Sequence, residues 1–421
     1  MADFTVLSHP EQLERLAAAC PEAAPTAVFG GDPCFDRLME AKASRTRFRR
    51  ALGMEPGQRL VVLNSTWNSS GFLGDDHSAF PLVLERIAAE LPLDEFRVAA
   101  VLHPNIVNGQ GPGQVRLWLE RARRAGLLLI PPLDGWRQTL IAADCLVGDH
   151  GSVSYYAAAI GVPVLLAAFP DDDLDPDSPV AEFGRATPRL RTDMPLLPQI
   201  ERVVAEHRPE SAARLAGWAT SDPGESAALL RELFYRAMGI PEPGHAAALD
   251  RLGLPPVRFA PVLSAVRALI EVDEFGVMAV RRYPESADWA THPTADAAHL
   301  VVSEDTPEPD VLARADVILG YDLRGEPVSR WLAETAEAYP YSSMVAACIG
   351  PGRADVRHRS GVQYRLECVG CESDPSALVS GLLARIDLGG VAAAEAERGF
   401  VVRVDLGGSV HRVDVTVGGR E

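Results

Sequence analysis

The sequence predicts an α/β fold, a Rossmann-like parallel sheet followed by an appended α+β domain. Three observations predict it. The first half alternates continuous apolar runs with segments of helical periodicity, as a doubly covered parallel sheet requires. Residues 142–166 read as a buried strand, a tight polar turn, a short helix and a second buried strand. Beyond a proline-rich stretch, the runs change to alternating strands of the kind that leave one sheet face in water. The expected division is a Rossmann-like domain over 1–239, a linker over 240–261 and an α+β domain over 262–421.

Bulk composition narrows the classes. A chain of 421 residues with 47% hydrophobic content can build two or three ordinary cores. No run approaches the roughly 20 apolar residues of a membrane span. Met1-Ala2-Asp3 opens no basic, then apolar leader, so a cytoplasmic location is expected. The net charge of −18 opposes non-specific binding to nucleic acid or to an anionic membrane. An anionic ligand must therefore be captured locally. Six cysteines give no disulfide framework. Cys20, Cys34 and Cys145 sit in apolar contexts and read as small core residues. Cys368 and Cys371 form a single C-x-x-C without the second pair of a structural zinc site, so no metal is expected.

The elements follow in order. Residues 26–29 form a short strand ending in Gly30-Gly31. Asp32 caps the next helix, with Pro33 at its first position, and Gly53 stops it near Leu52. Arg45, Arg47, Arg49 and Arg50 read as its solvated face. Residues 60–64 are a continuous apolar strand, and the loop 65–71 leaves its end. A helix over 79–91 precedes a strand over 97–102, closed by His103-Pro104-Asn105. A helix over 112–125, a strand over 127–130 and a helix over 136–142 lead into the motif at 142–166. Further helices are expected over 197–205 and 225–238. In the last part, strands are expected over 275–282, 299–302, 317–319, 344–348, 362–368, 400–405 and 411–417. Helices over 328–339 and 375–386 interrupt them. That part carries no repeat and no chemical motif and is given no role of its own; a protein partner or an oligomer through 262–421 is one expectation.

Chemistry collects after the strand ends. Ligands of open α/β sheets bind beyond the carboxyl ends of the strands, and a helix start offers N–H groups without a partner. Loops after Phe29, Asn64, Leu102 and Val147 are expected to converge on one rim. Ser65 and Thr66 offer hydroxyls to a phosphate or serve the turn itself. His103 offers a donor or a proton-transfer group, or is satisfied by loop carbonyls. Gly151 and Ser152 place N–H groups around an anion, with Ser152 as cap or direct donor. Asp149 caps the helix, orients His150 or meets a ribose hydroxyl. Trp67 stacks on a base or joins the core, and at least one of Tyr155 and Tyr156 is buried. The acidic run 171–177 lacks a calcium loop's glycine, since Pro176 stands there, and reads as solvated.

These stretches together resemble a family. Residues 31–38, Leu63-Asn64-Ser65-Thr66-Trp67, Leu102-His103-Pro104 and the turn 143–152 stand in the order and spacing of the nucleotide-donor half of glycosyltransferase-B fold enzymes. They are most similar to CDP-glycerol glycerophosphotransferases of teichoic-acid synthesis. The resemblance covers about residues 8–233. It implies that His103 and the Gly151/Ser152 turn contact a donor's pyrophosphate, and that Asp149 matches the family's turn aspartate. Val101 and Asn68 stand where the family has basic residues, and Arg185 lies near the place of its Arg-Gly pair. The family's acceptor half, with its catalytic His-Gly pair, comes before the segment that residues 4–9 resemble, so no catalytic residue is assigned.

Two functional expectations follow. One is a nucleotide-dependent glycosyl- or glycerophospho-transferase-like protein that binds a nucleotide-diphosphate donor, with Ser65, Thr66, His103, Asp149, His150, Gly151, Ser152 and Arg185 around it. The donor is the substrate and no cofactor is called for. The alternative is a non-catalytic binding or interaction protein that keeps the donor-binding fold.

Overall fold

A computed structural model describes residues 2–74, 79–171, 174–257, 263–287, 295–368, 374–389 and 398–418. The chain forms two compact units. One takes Met1–Val83, Arg97–Leu119 and Leu127–Phe259; the other takes Leu84–Phe96, Glu120–Gly126 and Ala260–Glu421.

In the first unit, β1 (Thr5–Leu7) and β2 (Ala27–Phe29) pair in parallel as a sheet of their own. The main sheet holds β3 (Arg59–Ser65), β4 (Phe96–Leu102), β5 (Leu128–Leu129), β6 (Cys145–Gly148) and β7 (Val164–Leu166). Their order is β5-β4-β3-β6-β7. The pairs β3–β6, β4–β5 and β6–β7 run parallel. In β3 every residue after the first is buried, and all of β6 is, as layers on both faces require. Leu60, Val62 and Leu146 from the strands meet Phe35, Phe48 and Phe183 from the covering helices. Each such side chain contributes about 1.5–3 kcal/mol of burial.

Several expectations change. Because β2 pairs with β1 in a two-stranded sheet among the described residues, the loop after Phe29 does not leave the main sheet. Asp32 does cap its helix, accepting the N–H groups of Cys34 and Phe35 at 2.9 Å each. That helix is Pro33–Ala41; a 3-10 turn (Lys42–Ser44) separates it from a second helix, Arg45–Ala51. Arg45 and Arg49 are not a solvated face. They bind the two carboxylate oxygens of Asp144 at 2.6 and 2.7 Å. They also donate to the carbonyls of Ile141, Ala142 and Ala143. Those carbonyls end the helix Trp136–Ala142 and lack partners within it. Asp144 in turn accepts the Leu60 N–H at 2.7 Å, so β3 and β6 are fastened where they begin. Helices at Pro10–Ala19, Pro104–Gln110, Pro179–Ala186 and Pro209–Ala219 were not expected. All four begin on a proline that reads as loop punctuation and serves as a first helical residue.

The second unit departs further. Strands β8 (Ala265–Val272), β9 (Val277–Pro284), β10 (Ala297–Ser303), β11 (Val317–Gly320), β12 (Met344–Gly350), β13 (Arg353–His358), β14 (Gln363–Cys368), β15 (Phe400–Leu406) and β16 (Ser409–Gly418) close into a barrel. Its order is β10-β11-β12-β13-β14-β16-β15-β9-β8, with parallel and antiparallel neighbours. The helix Pro375–Gly389 touches β8 to β13 and β15, and its residues from Pro375 to Ala384 are all buried. Leu378, Leu382 and Leu383 pack among inward-facing Val266, Val356, Leu366 and Val404. A helix apolar on every side needs such an enclosure. The alternating strands thus close around a helix, and β8 and β13 were not expected. Cys20 is exposed rather than core, and Cys368 is disulfide-bonded. Cys371 lies outside the described residues. Among the described residues no helix is long and apolar enough to cross a membrane.

Candidate functional site

The strand order places a topological switch point between β3 and β6. From β3 the chain steps outward to β4 and β5, then returns to β6 and β7 on the other side. Open α/β sheets hold ligands at such a point, in a crevice outside the carboxyl ends of the strands.

Asp149 follows β6 and is fully buried. Its Oδ2 accepts the N–H groups of Thr66 at 2.7 Å and Phe72 at 2.8 Å. Its Oδ1 accepts the Gly151 N–H at 3.0 Å. The Ser65 hydroxyl also lies 3.4 Å from Oδ2 and accepts the Leu73 N–H at 2.7 Å. Three amides satisfy this buried carboxylate, while the Ser65 hydroxyl beside it donates to the Thr66 carbonyl at 2.9 Å. Asp149 and Ser65 thus face inward and shape both loops. Asp149 caps no helix; Gly151 stands at the N-cap position and Ser152 at the first helical position.

Thr66 and Gly151 meet directly. A Cβ on Gly151 would sit 3.2 Å from Thr66 Cβ and 3.1 Å from Asp149 Oδ1. The helix Ser152–Ala159 begins here, with its first main-chain donors on Ser152 and Val153. The earliest backbone bonds to Gly151 come from Ser154 and Tyr155, so those two N–H groups have no partner among the described residues. Ser152 is exposed. Gly148 lets the helix approach, since a Cβ there would lie 2.6 Å from Ser154 Oγ. Tyr156 fixes the far side by donating to Asp32 at 2.7 Å. Burial, with the Asp32 charge, raises its phenol so that it stays neutral.

His103 ends β4 on the other flank of β3, and its N–H donates to the Ser65 carbonyl at 3.0 Å. Its Nδ1 accepts the Asn105 N–H at 3.1 Å. A neutral ring that accepts at Nδ1 carries its proton on Nε2, which makes it a donor there. Trp67 lies 6.4 Å from the His103 ring and is 59% exposed, so it is not core. His103, Thr66, Gly151 and Ser152 therefore share one margin.

Two expected residues sit apart from this group. His150 turns to the ring of Phe169, edge to face at 6.3 Å. Arg185 is exposed and donates to the Pro176 carbonyl at 2.9 Å. The arginine that the structure brings toward the turn is Arg189, stacked on Phe169 with its guanidinium 4.3 Å from the ring centre. Sequence reading missed it because no motif surrounds it. Among the described residues no cluster of His, Cys, Asp and Glu could hold a metal ion.

Fold and site define the class: a Rossmann-like α/β sheet with polar groups gathered at its switch point, and an appended barrel unit. Among solved structures, the chain is similar to the wall teichoic acid polymerase TagF at 15% identity and a TM-score of 0.38, over 56% of this chain and 58% of that one. It is also similar to a UDP-GlcNAc 2-epimerase from Neisseria meningitidis bound to UDP-GlcNAc, at 14% identity and 0.34, over 55% and 61%. A third is Anabaena Alr3699/HepE in complex with UDP and glucose, at 10% and 0.33, over 57% and 64%. The chain thus spans less than two thirds of the length of each. No protein-family model and no curated protein matches the sequence.

Proposed function

We propose that the first unit binds a nucleotide-diphosphate donor at the crevice between β3 and β6, as the donor-holding part of a glycosyl- or glycerophospho-transferase-like protein. The observation that carries this reading is Asp149, which draws the two loops together and leaves their outward donors facing one margin. In the proposal, the N–H groups of Ser152 and Val153, the hydroxyls of Thr66 and Ser152, and Nε2–H of His103 hold the phosphates. Ser65 and Asp149 position them from below. Donors fixed in this way stabilise the charge that grows on a departing diphosphate without reorganising.

One observation favours the second reading, a binding protein without turnover. The His103 ring is committed at Nδ1 and presents a proton, so it serves as a donor rather than as the general base a transfer needs. Calorimetry with CDP-glycerol, UDP-sugars and free nucleotides tests both readings. Binding that His103→Ala with Ser152→Ala abolishes supports the crevice, and product formation decides for transfer. Failure of every nucleotide to bind overturns the donor reading.

A further inference from the structure

A diphosphate carries several negative charges into a chain whose net charge is already −18. The donors assembled at the crevice are neutral amides, hydroxyls and an imidazole. The cation expected from sequence, Arg185, is engaged with a carbonyl.

Arg189 is placed differently. The segment around it runs beside β7. Leu166 N–H donates to Pro188 O at 2.9 Å, and Leu190 N–H donates to Leu166 O at 2.8 Å. Arg189 is thereby bridged to Leu166, which pairs with Gly148 at the end of β6. Two strand spacings put it about 10 Å from Gly148, along the same sheet margin.

Its head is also prepared. The guanidinium lies over the Phe169 ring, and the edge contact of that ring is His150, inside the turn. Phe169 itself is held against Gly184, where any Cβ would collide with the ring. Stacking leaves the planar N–H fork free to bind in its own plane. Among the described residues its polar partner is Asp171, at 2.8 Å. That pair is open to water, with side chains 38% and 67% exposed, and exposed pairs hold weakly. A phosphate offers the same fork two oxygens and more charge.

We infer that Arg189 is the cation that binds the diphosphate, with Asp171 holding its place until the ligand arrives. This inference rests on the donor reading above. It assigns a binding residue and a preference for nucleoside diphosphates over monophosphates.

The test is calorimetry on the full chain with CDP and CMP, using Arg189→Gln, Arg189→Lys, Asp171→Asn and Arg185→Gln. Arg189→Gln is expected to weaken CDP about tenfold or more and CMP by less than about twofold. Arg189→Lys recovers part of the loss, Arg185→Gln binds as the parent does, and Asp171→Asn binds CDP at least as tightly. Retained CMP binding reports a folded crevice in each variant. Unchanged CDP binding by Arg189→Gln, or equal loss of CDP and CMP, overturns the inference and leaves the donor reading standing. If the parent chain binds no nucleotide, both fall.

Discussion

The backbone N–H of Thr66 donates to the buried carboxylate of Asp149 at 2.7 Å, and that carboxylate joins the loops that leave β3 and β6. Asp149→Asn replaces one acceptor oxygen with an N–H donor facing other N–H groups. The expected cost is about 1–3 kcal/mol, the penalty of unsatisfied buried donors. Thermal unfolding of the full chain measures it, and nucleotide affinity is expected to fall with it. A variant as stable as the parent contradicts the role given to Asp149.

Gly148 tests the same arrangement from the strand side. Gly148→Ala puts a methyl 2.6 Å from Ser154 Oγ and 2.8 Å from Leu146 Cδ2. The neighbours must shift, at about 1–3 kcal/mol. The unfolding midpoint is expected to drop and nucleotide binding to weaken, because the start of the helix moves away from β6. Unaltered binding in a folded Gly148→Ala protein separates the helix start from the ligand.

Asp144 fastens the opposite end of the sheet. Asp144→Ala leaves Arg45 and Arg49 without their carboxylate and the Leu60 N–H without an acceptor. The groups are only partly buried, so the expected loss is about 2–3 kcal/mol rather than that of a fully buried pair. A urea midpoint measures it. A loss below about 0.5 kcal/mol is what a solvated charge cluster gives, and would restore that reading.

These particulars show how much was legible beforehand. Strands β3 and β6 announced themselves as unbroken apolar runs, and His103-Pro104 and Gly151-Ser152 marked the ends of their elements. Long-range partners were not legible. Arg45 and Arg49 read as solvated because their acceptors lie roughly a hundred residues onward. Asp149 read as a helix cap because the amides it binds, on Thr66 and Phe72, belong to another loop. The barrel was hidden for a related reason. Alternating strands fit an open or a closed sheet equally well, and only the all-round apolar helix Pro375–Gly389 separates the two.

The barrel unit makes a prediction in acid. Burial alone raises the Asp374 carboxyl, but the Arg282 charge, the Ser376 N–H and the hydrogen bonds from Arg282 and Tyr321 outweigh burial and hold it below its ordinary value. A group depressed in the folded state stabilises fully above its unfolded pKa and less as pH falls through the folded one. Urea stability of the second unit is expected to decline from about pH 5 toward pH 3, and Asp374→Asn is expected to flatten that part of the curve at a lower overall stability. Parallel curves for parent and variant contradict the ion pair's contribution.

A crystal structure of the chain with CDP tests the central claim most directly. The account predicts phosphate oxygens within hydrogen-bonding distance of the Ser152 and Val153 amides and of His103 Nε2. CDP bound elsewhere on the chain, with the crevice between β3 and β6 holding only water, contradicts it.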